Sequence, residues 1–366
     1  MFMPDTKEMK SDHTGINSLT LNGHTYSVPE VVTLSREKVK EGITQWEKNI
    51  YAFLLEFLGD GDFIRQESSG TTGEAKVFHL SKSCMIASAQ DTADYFGLKK
   101  GDTALLCLPV EYIAGKMMVV RALVSGLNLF WQEPGISPVL ESYQEIDFCA
   151  MVPLQVRHVL ETGDFSVIKQ LIIGGSQVDE KLRDELETIS TRCYETYGMA
   201  ETCSHVALRK LNGENAEMHF EALPGVTFHT DERGCLVIHA DRLEESILTN
   251  DIVALIDSEH FELKGRYDDL INTGGIKVNP SEVELKLSGM IPYDFVIIGL
   301  PDDKLGQSVT LVLETEEKLN KQALFEKISN ALSKYEKPRQ IFTVKSLPRN
   351  SSLKIDRKKL QKNLCR

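Results

Sequence analysis

Short apolar runs separated by helix-like segments constrain the fold of this chain most strongly. Runs of apolar and β-branched residues at 103–108 and 295–298 predict strands. Between such runs, Ser81 is placed to cap a helix, and a further helix is predicted over residues 114–125 with its end at Gly126. Alternating strands and helices are typical of proteins whose sheets are covered by helices. The sequence therefore predicts an α/β (mixed α+β) fold.

The chain is long enough for more than one hydrophobic core. Its 366 residues exceed the usual size of a single core, and the texture changes near residue 265. There, glycine and charged residues cluster from Gly265 to Asp269 and again at Gly274 and Gly275. Such clusters are typical of boundaries that few contacts cross. We predict a large N-terminal domain over residues 1–265 and a smaller C-terminal α/β domain over residues 266–366.

Composition favours a soluble protein of the cytoplasm without membrane insertion. Hydrophobic residues make up 42% and charged residues 26% of the chain, and no signal-peptide pattern is found at its start. The most apolar helical stretch, residues 117–130, is interrupted by Arg121. The seven cysteines form no CxxC pair and the nine histidines show no metal-ligand spacing, which favours reduced thiols and no zinc site.

The charge distribution disfavours nucleic acid as the partner. The formal net charge is −13, whereas nucleic-acid-binding proteins usually carry a basic surface. The last 33 residues are nevertheless strongly basic. This end is either a solvated basic tail or a surface that binds polyphosphate, and the sequence does not decide between the two. A homo-oligomer is also possible from the sequence.

A loop of small residues is the strongest candidate site. Two extended-looking segments, residues 63–67 and 76–80, flank it, and its backbone N–H groups, hydroxyls and one lysine suit a triphosphate. It does not match the GxxxxGK[ST] phosphate loop, and a polar hairpin tip is the alternative. The candidate phosphate-binding residues are Ser68, Ser69, Gly70, Thr71, Thr72, Gly73 and Lys76.

A second candidate is the glycine turn after the predicted strand at residues 171–173. Gly174, Gly175 and Ser176 have small side chains, which would let a flat ligand pack against the backbone. A plain tight turn explains the same residues equally well.

Several motifs, taken together, resemble the adenylate-forming superfamily of acyl-CoA synthetases. The string SSGTTGEAK at 68–76 is similar to the family's phosphate loop. Four further segments resemble motifs of the family and occur in the same order as in the family. They are similar to its YGxTE motif (194–202), its TGD motif (248–251), its hinge segment (265–284) and its terminal GK motif (348–357). The resemblance covers residues 68–358.

The resemblance implies an ATP site that also holds Mg²⁺. Gly174, Gly175, Ser176 and Gly198 would contact adenine, Tyr197 would stack on it, and Glu201 would bind Mg²⁺. Asp251 would accept hydrogen bonds from the ribose hydroxyls, and Arg266 would contact ribose or phosphate.

The resemblance also implies a mobile C-terminal domain that brings CoA into the reaction. Asp268 would be the pivot, and Gly274 with Gly275 would line the route of the pantetheine arm. Lys354 would stabilise charge on the reacting carboxylate and the α-phosphate.

Three positions depart from the family pattern: Ala200 replaces Thr, Asn250 replaces Gly and Leu353 replaces Gly. Thr202 is the hydroxyl expected to compensate for Ala200 in catalysis. The departures also leave open an adenylate-binding relative without turnover.

Within the family, residues 109–116 and 198–205 look like the o-succinylbenzoate–CoA ligase branch of menaquinone biosynthesis. This implies ATP-dependent activation of an aromatic dicarboxylic acid followed by thioester formation with CoA, and a shortened N-terminal region. The second carboxylate needs cationic or hydroxyl partners. The candidates for the acyl site are Tyr112, Lys116, Arg157 and Ser204. A ligase for another aryl or fatty acid, or an enzyme that loads a carrier protein, remains an alternative.

Overall fold

The computed structural model describes residues 15–41, 43–67, 77–349 and 355–365. The strands are β1 (Ser18–Leu21), β2 (His24–Ser27), β3 (Phe63–Glu67), β4 (Val77–Ser81), β5 (Thr103–Leu106), β6 (Asn128–Trp131), β7 (Ile146–Met151), β8 (Ile168–Ile173), β9 (Arg192–Met199), β10 (Ser204–Lys210), β11 (Phe220–Ala222), β12 (Val226–Thr230), β13 (Cys235–Ala240), β14 (Ile247–Leu255), β15 (His260–Arg266), β16 (Ile271–Thr273), β17 (Ile276–Val278), β18 (Phe295–Asp302), β19 (Gly306–Glu314) and β20 (Gln340–Val344). The helices are α1 (Val28–Lys40), α2 (Gln45–Leu58), α3 (Lys82–Phe96), α4 (Ile113–Ser125), α5 (Pro153–Thr162), α6 (Glu180–Leu186), α7 (Pro280–Leu287), α8 (Lys321–Ser329) and α9 (Arg357–Leu364).

A large sheet organises the chain up to β15. Its strand order is β12-β13-β14-β15-β11-β10-β9-β8-β7-β5-β6-β1-β2. In the section β9-β8-β7-β5-β6-β1, neighbouring strands pair parallel. On the other side of β9, from β10 to β12 in the order of the sheet, neighbouring strands pair antiparallel. The predicted α/β fold is confirmed, since helices connect the parallel strands.

Both faces of the parallel section are buried, which explains its nearly continuous apolar runs. On β7, Phe148 and Ala150 join one hydrophobic core, while Cys149 and Met151 join another on the opposite face. Side chains alternate between the faces of a strand, so a strand covered on both sides has no polar face.

The predicted helix ends are confirmed. Ser81 accepts a hydrogen bond from the Cys84 backbone N–H at 3.4 Å at the start of α3. At the end of α4, Gly126 adopts φ +65°, a left-handed conformation that glycine takes without steric cost.

The second sheet begins after β15. Its order is β17-β16-β19-β18, and β20 pairs parallel with β19. Separate apolar cores lie on its two faces. The change of sheet falls between Arg266 and Ile271, at the predicted boundary, and the division into two moving domains stays a prediction.

The two extended segments that were predicted to flank the candidate phosphate loop form a pair of strands. Strands β3 and β4 pair antiparallel from Phe63↔Ser81 to Glu67↔Val77. Residues 68–76 between them, and Lys354, lie outside the described residues.

No helix in the described part of the chain is long and apolar enough to span a membrane.

Candidate active site

The candidate site lies where the central parallel strands end. Because β7, β8 and β9 run in the same direction, their carboxyl ends meet at one edge of the sheet. The segments that follow β8 and β9 carry the predicted Gly174–Ser176 turn and the Ala200–Cys203 turn. Open α/β sheets typically bind ligands at this edge.

Glycine is required at two positions of this edge. A Cβ atom at Gly174 would collide with Oγ1 of Thr196, and one at Gly198 would collide with the backbone of Ser204. Gly175 adopts φ +91° and is exposed, as are Ser176 and Gly198. These close approaches produce an exposed, flat stretch of backbone, which fits a planar base.

An ion pair between Glu195 and Arg209 holds the segment that follows the glycine turn at residues 174–176. Glu195 on β9 is buried, pairs with Arg209 and accepts a hydrogen bond from the Val178 backbone N–H at 2.9 Å. Burial raises the pKa of the Glu195 carboxyl, and Arg209 opposes that shift. The pair therefore couples β9 to the segment that follows Ser176.

The structure brings Tyr197, Asp251 and Arg266 together. The Tyr197 hydroxyl donates to Oδ2 of Asp251 at 2.7 Å, and Nη1 of Arg266 lies 3.2 Å from Oδ1 of the same carboxylate. Burial, followed by the charge of Asp251, raises the pKa of the Tyr197 hydroxyl. The Tyr197 ring is only 7% exposed and packs on Phe261 with a centroid distance of 5.0 Å. The ring therefore borders the site instead of projecting into it.

Glu201 lies in the tight turn between β9 and β10. Its carboxylate is partly exposed and has no ion-pair partner among the described residues. One carboxylate of this kind beside the candidate site fits Mg²⁺, which commonly binds one or two carboxylates together with substrate phosphates and waters. No cluster of three metal-binding side chains occurs in the described ranges.

The hydroxyl of Thr202 forms hydrogen bonds within the same turn. Its hydroxyl accepts from the Met199 backbone N–H at 3.0 Å and lies 2.6 Å from the Ser204 carbonyl oxygen. The side chain is fully buried, and the next residue, Cys203, has φ +62°. The hydroxyl thus braces the turn, and the predicted catalytic contribution of Thr202 would require this turn to rearrange.

Asp268 is linked to the preceding motif at residues 248–251 and to Arg266 of its own segment. Its Oδ2 accepts from Nδ2 of Asn250 at 3.1 Å and from Nη2 of Arg266 at 3.3 Å. Asn250 also accepts from Nη1 of Arg233 at 2.8 Å. Asn250, which stands where the family motif has glycine, therefore contacts the predicted pivot directly.

The two cationic acyl-site candidates have partners within the protein. Nζ of Lys116 donates to Oε1 of Gln66 at 2.7 Å and is nearly buried. Arg157 on α5 pairs with Asp179 and lies 3.8 Å from Glu185. Both cations thus have structural roles in this conformation, and their substrate roles stay predictions.

The other two candidates lie near helix α4. Tyr112 precedes its first residue and is partly buried. Ser204 opens β10, directly after the Glu201 turn, and is also partly buried. Ser204 accepts a hydrogen bond from a residue that the sequence analysis mentions only as an interruption of an apolar stretch, Arg121.

Arg121 is a buried cation with unusual surroundings. It is 1% exposed, its Nη2 lies 2.9 Å from Oγ of Ser204 and 3.3 Å from Nδ1 of His205, and its guanidinium lies 6.0 Å from the Phe148 ring centroid. Nη1 has only a long contact of 3.7 Å to Sδ of Met118, and Nε has no partner among the described residues. No carboxylate in those ranges pairs with it.

Arg121 nevertheless remains charged at neutral pH. Burial lowers the pKa of its guanidinium to about 9, which is still well above 7. Buried arginines are normally paired, so an uncompensated one beside a candidate site indicates an anion-binding position. The available sequence signal was a single charge within the apolar stretch of residues 117–130.

Comparison with known proteins identifies a family. The model of the AMP-binding enzyme family matches residues 67–228. An acyl-CoA synthetase (AMP-forming)/AMP-acid ligase II-like protein from Dyadobacter fermentans, known by crystal structure, is 32% identical; the match covers 91% of this chain and 98% of that one, with a TM-score of 0.59.

More distant relatives include enzymes with a named substrate. The 2-succinylbenzoate–CoA ligase of Staphylococcus epidermidis is 26% identical over 358 residues, covering 87% of this chain and 73% of that protein. The ligase of the same name from Salmonella typhimurium is 23% identical, covering 91% and 76%. The O-succinylbenzoate coenzyme A synthetase of Bacillus subtilis, crystallised with ATP and magnesium ion, shares the fold at 17% identity, with a TM-score of 0.75 over 94% of this chain and 97% of that one. From the 32% identity over nearly the whole length of both chains, this chain belongs to the family of AMP-forming acyl-CoA synthetases.

Proposed function

We propose that this chain activates an aromatic dicarboxylic acid of the o-succinylbenzoate type with ATP and transfers the acyl group to CoA, as a step of menaquinone biosynthesis. The observation that carries the choice of substrate is the Arg121–Ser204 pair, since family membership alone allows many acids. The names of the more distant relatives point to the same substrate.

The Arg121–Ser204 pair suits the carboxylate that does not react. The Ser204 oxygen accepts from Nη2 of Arg121, which leaves the hydroxyl hydrogen of Ser204 to be donated to a ligand. Arg121 itself is buried, so its charge acts on a ligand through this hydroxyl and through a field that water screens little. A fatty acid, which has a single carboxylate, would leave this cation uncompensated.

The first half-reaction forms an acyl-adenylate. An oxygen of the reacting carboxylate attacks the α-phosphorus of ATP, and the bond from that phosphorus to the β-phosphate oxygen breaks, releasing pyrophosphate. Bound Mg²⁺ would neutralise charge on the phosphates, with Glu201 as its protein ligand. Asp251, whose carboxylate pairs with Arg266, would accept hydrogen bonds from the ribose hydroxyls. Lys354 is assigned from its motif to the charge that develops at the α-phosphate.

The second half-reaction forms the thioester. The sulfur of CoA attacks the acyl carbon, the bond from this carbon to the AMP oxygen breaks, and the thiol proton is lost to solvent. We assign the pivot between the two steps to Asp268, whose contacts with Asn250 and Arg266 would have to exchange during rotation. The basic C-terminal end would face the CoA phosphates.

One assay tests the proposal. Enzyme, ATP, Mg²⁺, CoA and o-succinylbenzoate are mixed, and AMP and the acyl-CoA are followed by mass spectrometry. Two matched acids lack one carboxylate each: 4-oxo-4-phenylbutanoate and 2-butanoylbenzoate. We expect turnover of o-succinylbenzoate at the lowest KM and weaker turnover of the monocarboxylate that retains the reacting group.

The remaining candidates predict different results. Preference for fatty acids or for the monocarboxylates would favour a ligase of other specificity and overturn the role of Arg121. Binding of ATP without release of pyrophosphate with any acid would favour an adenylate-binding relative, for which the departure at Ala200 is the specific observation.

A further inference from the structure

His205 is buried at the point where three elements meet. It lies on β10, one residue after Ser204, and is 4% exposed. Its Nε2 lies 3.4 Å from Oγ1 of Thr92 on α3, and its Nδ1 lies 3.3 Å from Nη2 of Arg121 on α4. Arg242 donates to the backbone carbonyl oxygen of His205 at 3.2 Å.

The hydrogen bond of Thr92 determines which imidazole nitrogen carries the hydrogen. The Thr92 hydroxyl donates to the carbonyl oxygen of Ser88 at 2.9 Å, so its hydrogen is already used. The hydroxyl oxygen can then only accept from His205, which places a hydrogen on Nε2. Nδ1 is left with a lone pair that faces the guanidinium of Arg121.

The surroundings also keep the ring neutral. Burial, and then the charges of Arg121 and Arg242, lower the pKa of His205 well below its usual range. A protonated ring would direct an N–H group at the guanidinium, where no lone pair would be available. Neutrality and the Nε2–H tautomer therefore support each other.

Two neutral acceptors thus hold one end of Arg121. The two hydrogens of Nη2 are matched by Nδ1 of His205 and Oγ of Ser204. A carboxylate here would orient the guanidinium equally well but would cancel its charge. Because Nδ1 has a single lone pair and Arg121 occupies it, the Ser204 hydroxyl, 3.4 Å from the same nitrogen, keeps its hydrogen for a ligand.

We propose that the His205 imidazole is a positioning residue for substrate selection: it orients Arg121 without neutralising it and directs the Ser204 hydroxyl to the unreacted carboxylate. This inference rests on the proposed function, because it assumes that the substrate carries a second carboxylate. His205 does not itself touch the substrate or the reacting atoms.

Two substitutions test the role kinetically. His205→Leu removes the acceptor, whereas His205→Asn retains an acceptor oxygen close to the position of Nδ1. In His205→Leu we expect KM for o-succinylbenzoate to rise about 10- to 100-fold, the range for losing a hydrogen bond to a charged group, with a much smaller change in kcat. KM for the reactive monocarboxylate should change far less, and His205→Asn should restore most of the loss.

The matched control is His229→Leu, the same substitution at an exposed position of β12. It should leave the preference for the dicarboxylate unchanged. Equal losses of kcat/KM for dicarboxylate and monocarboxylate in His205→Leu, or failure of His205→Asn to restore KM, would overturn the proposal in favour of a purely structural role.

A measurement on the wild-type protein separates this inference from the proposed function. Nitrogen-15 NMR of labelled histidine, assigned by the signal lost in His205→Asn, reports which ring nitrogen is protonated. We expect the neutral Nε2–H form whether or not the enzyme accepts o-succinylbenzoate, and whether or not His205→Leu folds. An Nδ1–H or doubly protonated ring at neutral pH would overturn the proposal even in an active enzyme.

Discussion

Two arginines contact His205, and their other partners differ. Arg242 is paired with Asp91 at 2.7 Å and also donates to the His205 carbonyl oxygen at 3.2 Å. Arg121 is more deeply buried and, among the described residues, contacts a hydroxyl, an imidazole nitrogen and a thioether. A buried arginine with a carboxylate partner is typical of structural roles, whereas one with only neutral acceptors keeps a positive field available. From this comparison we expect Arg242 to contribute to stability and Arg121 to ligand recognition.

Removal of the charge of Arg121 should have the largest effect, and it should fall on activity. In Arg121→Met we expect kcat/KM for o-succinylbenzoate to fall by about 10²- to 10³-fold, mainly through KM, because a charge-assisted interaction is lost in a poorly screened site. The free energy of unfolding should stay equal or rise, since an uncompensated buried charge is replaced by an apolar side chain. Steady-state kinetics with both acids and urea unfolding provide the measurements. A large loss of stability would contradict the comparison.

The equivalent change at Arg242 should have the opposite profile. Arg242→Met leaves Asp91 without its partner, and we expect a loss of about 2–3 kcal/mol in the free energy of unfolding, less than a fully buried pair because the Asp91 side chain is 25% exposed. The ratio of kcat/KM for dicarboxylate over monocarboxylate should change less than about threefold. Asp91→Asn combined with Arg242→Met should recover part of the stability, as judged from urea unfolding curves. A changed substrate preference without loss of stability would exchange the roles of the two arginines.

A smaller effect is expected at Ser204, which lies between Arg121 and the proposed ligand. Ser204→Ala should raise KM for o-succinylbenzoate about 10- to 30-fold, since it removes one hydrogen bond but leaves the field of Arg121 in place. Ser204→Thr, which keeps a hydroxyl, is the matched control and should recover most of the affinity. Initial-rate kinetics at saturating ATP and CoA distinguish these results. A loss as large as that of Arg121→Met would mean that Arg121 acts only by holding the hydroxyl.

The sequence predicted the strands and helix ends around the site better than the position of its buried positive charge. The runs at β5 and β18 and the helix ends at Ser81 and Gly126 were readable, because local pattern and capping chemistry determine them. Family motifs indicated Tyr197 and Asp251, which the structure joins at 2.7 Å.

The role of Arg121 was not readable, because the residues that define it are distant in sequence. Ser204 and His205 are 83 and 84 residues away and meet Arg121 only through the packing of α4 on β10. For the same reason the pairing of Arg157 with Asp179 was not readable, and the substrate role of Arg157 stays a prediction. Sequence shows which residues are charged, whereas only the fold shows which charges are compensated.

The smallest effect expected from the two-arginine arrangement is a pH dependence of stability. His205 has its pKa lowered well below the usual range by burial and by Arg121 and Arg242, with Thr92 on the opposite side of the ring, whereas an unfolded histidine titrates near 6.5. Below this pH the unfolded chain binds a proton that the native ring does not, so stability falls as pH falls and is unaffected above it. Between pH 7.5 and 5.5 this contribution amounts to about 1.4 kcal/mol. It should be absent from His205→Asn, so that the difference in unfolding free energy between wild type and variant narrows by this amount on acidification, in urea titrations at the two pH values. A difference that widens on acidification would mean that the ring is already protonated at pH 7.5, and Arg121 would then lack the acceptor that distinguishes it from Arg242. A difference that is independent of pH would mean that the folded and the unfolded histidine bind protons equally, so that the surroundings of the ring do not keep it neutral.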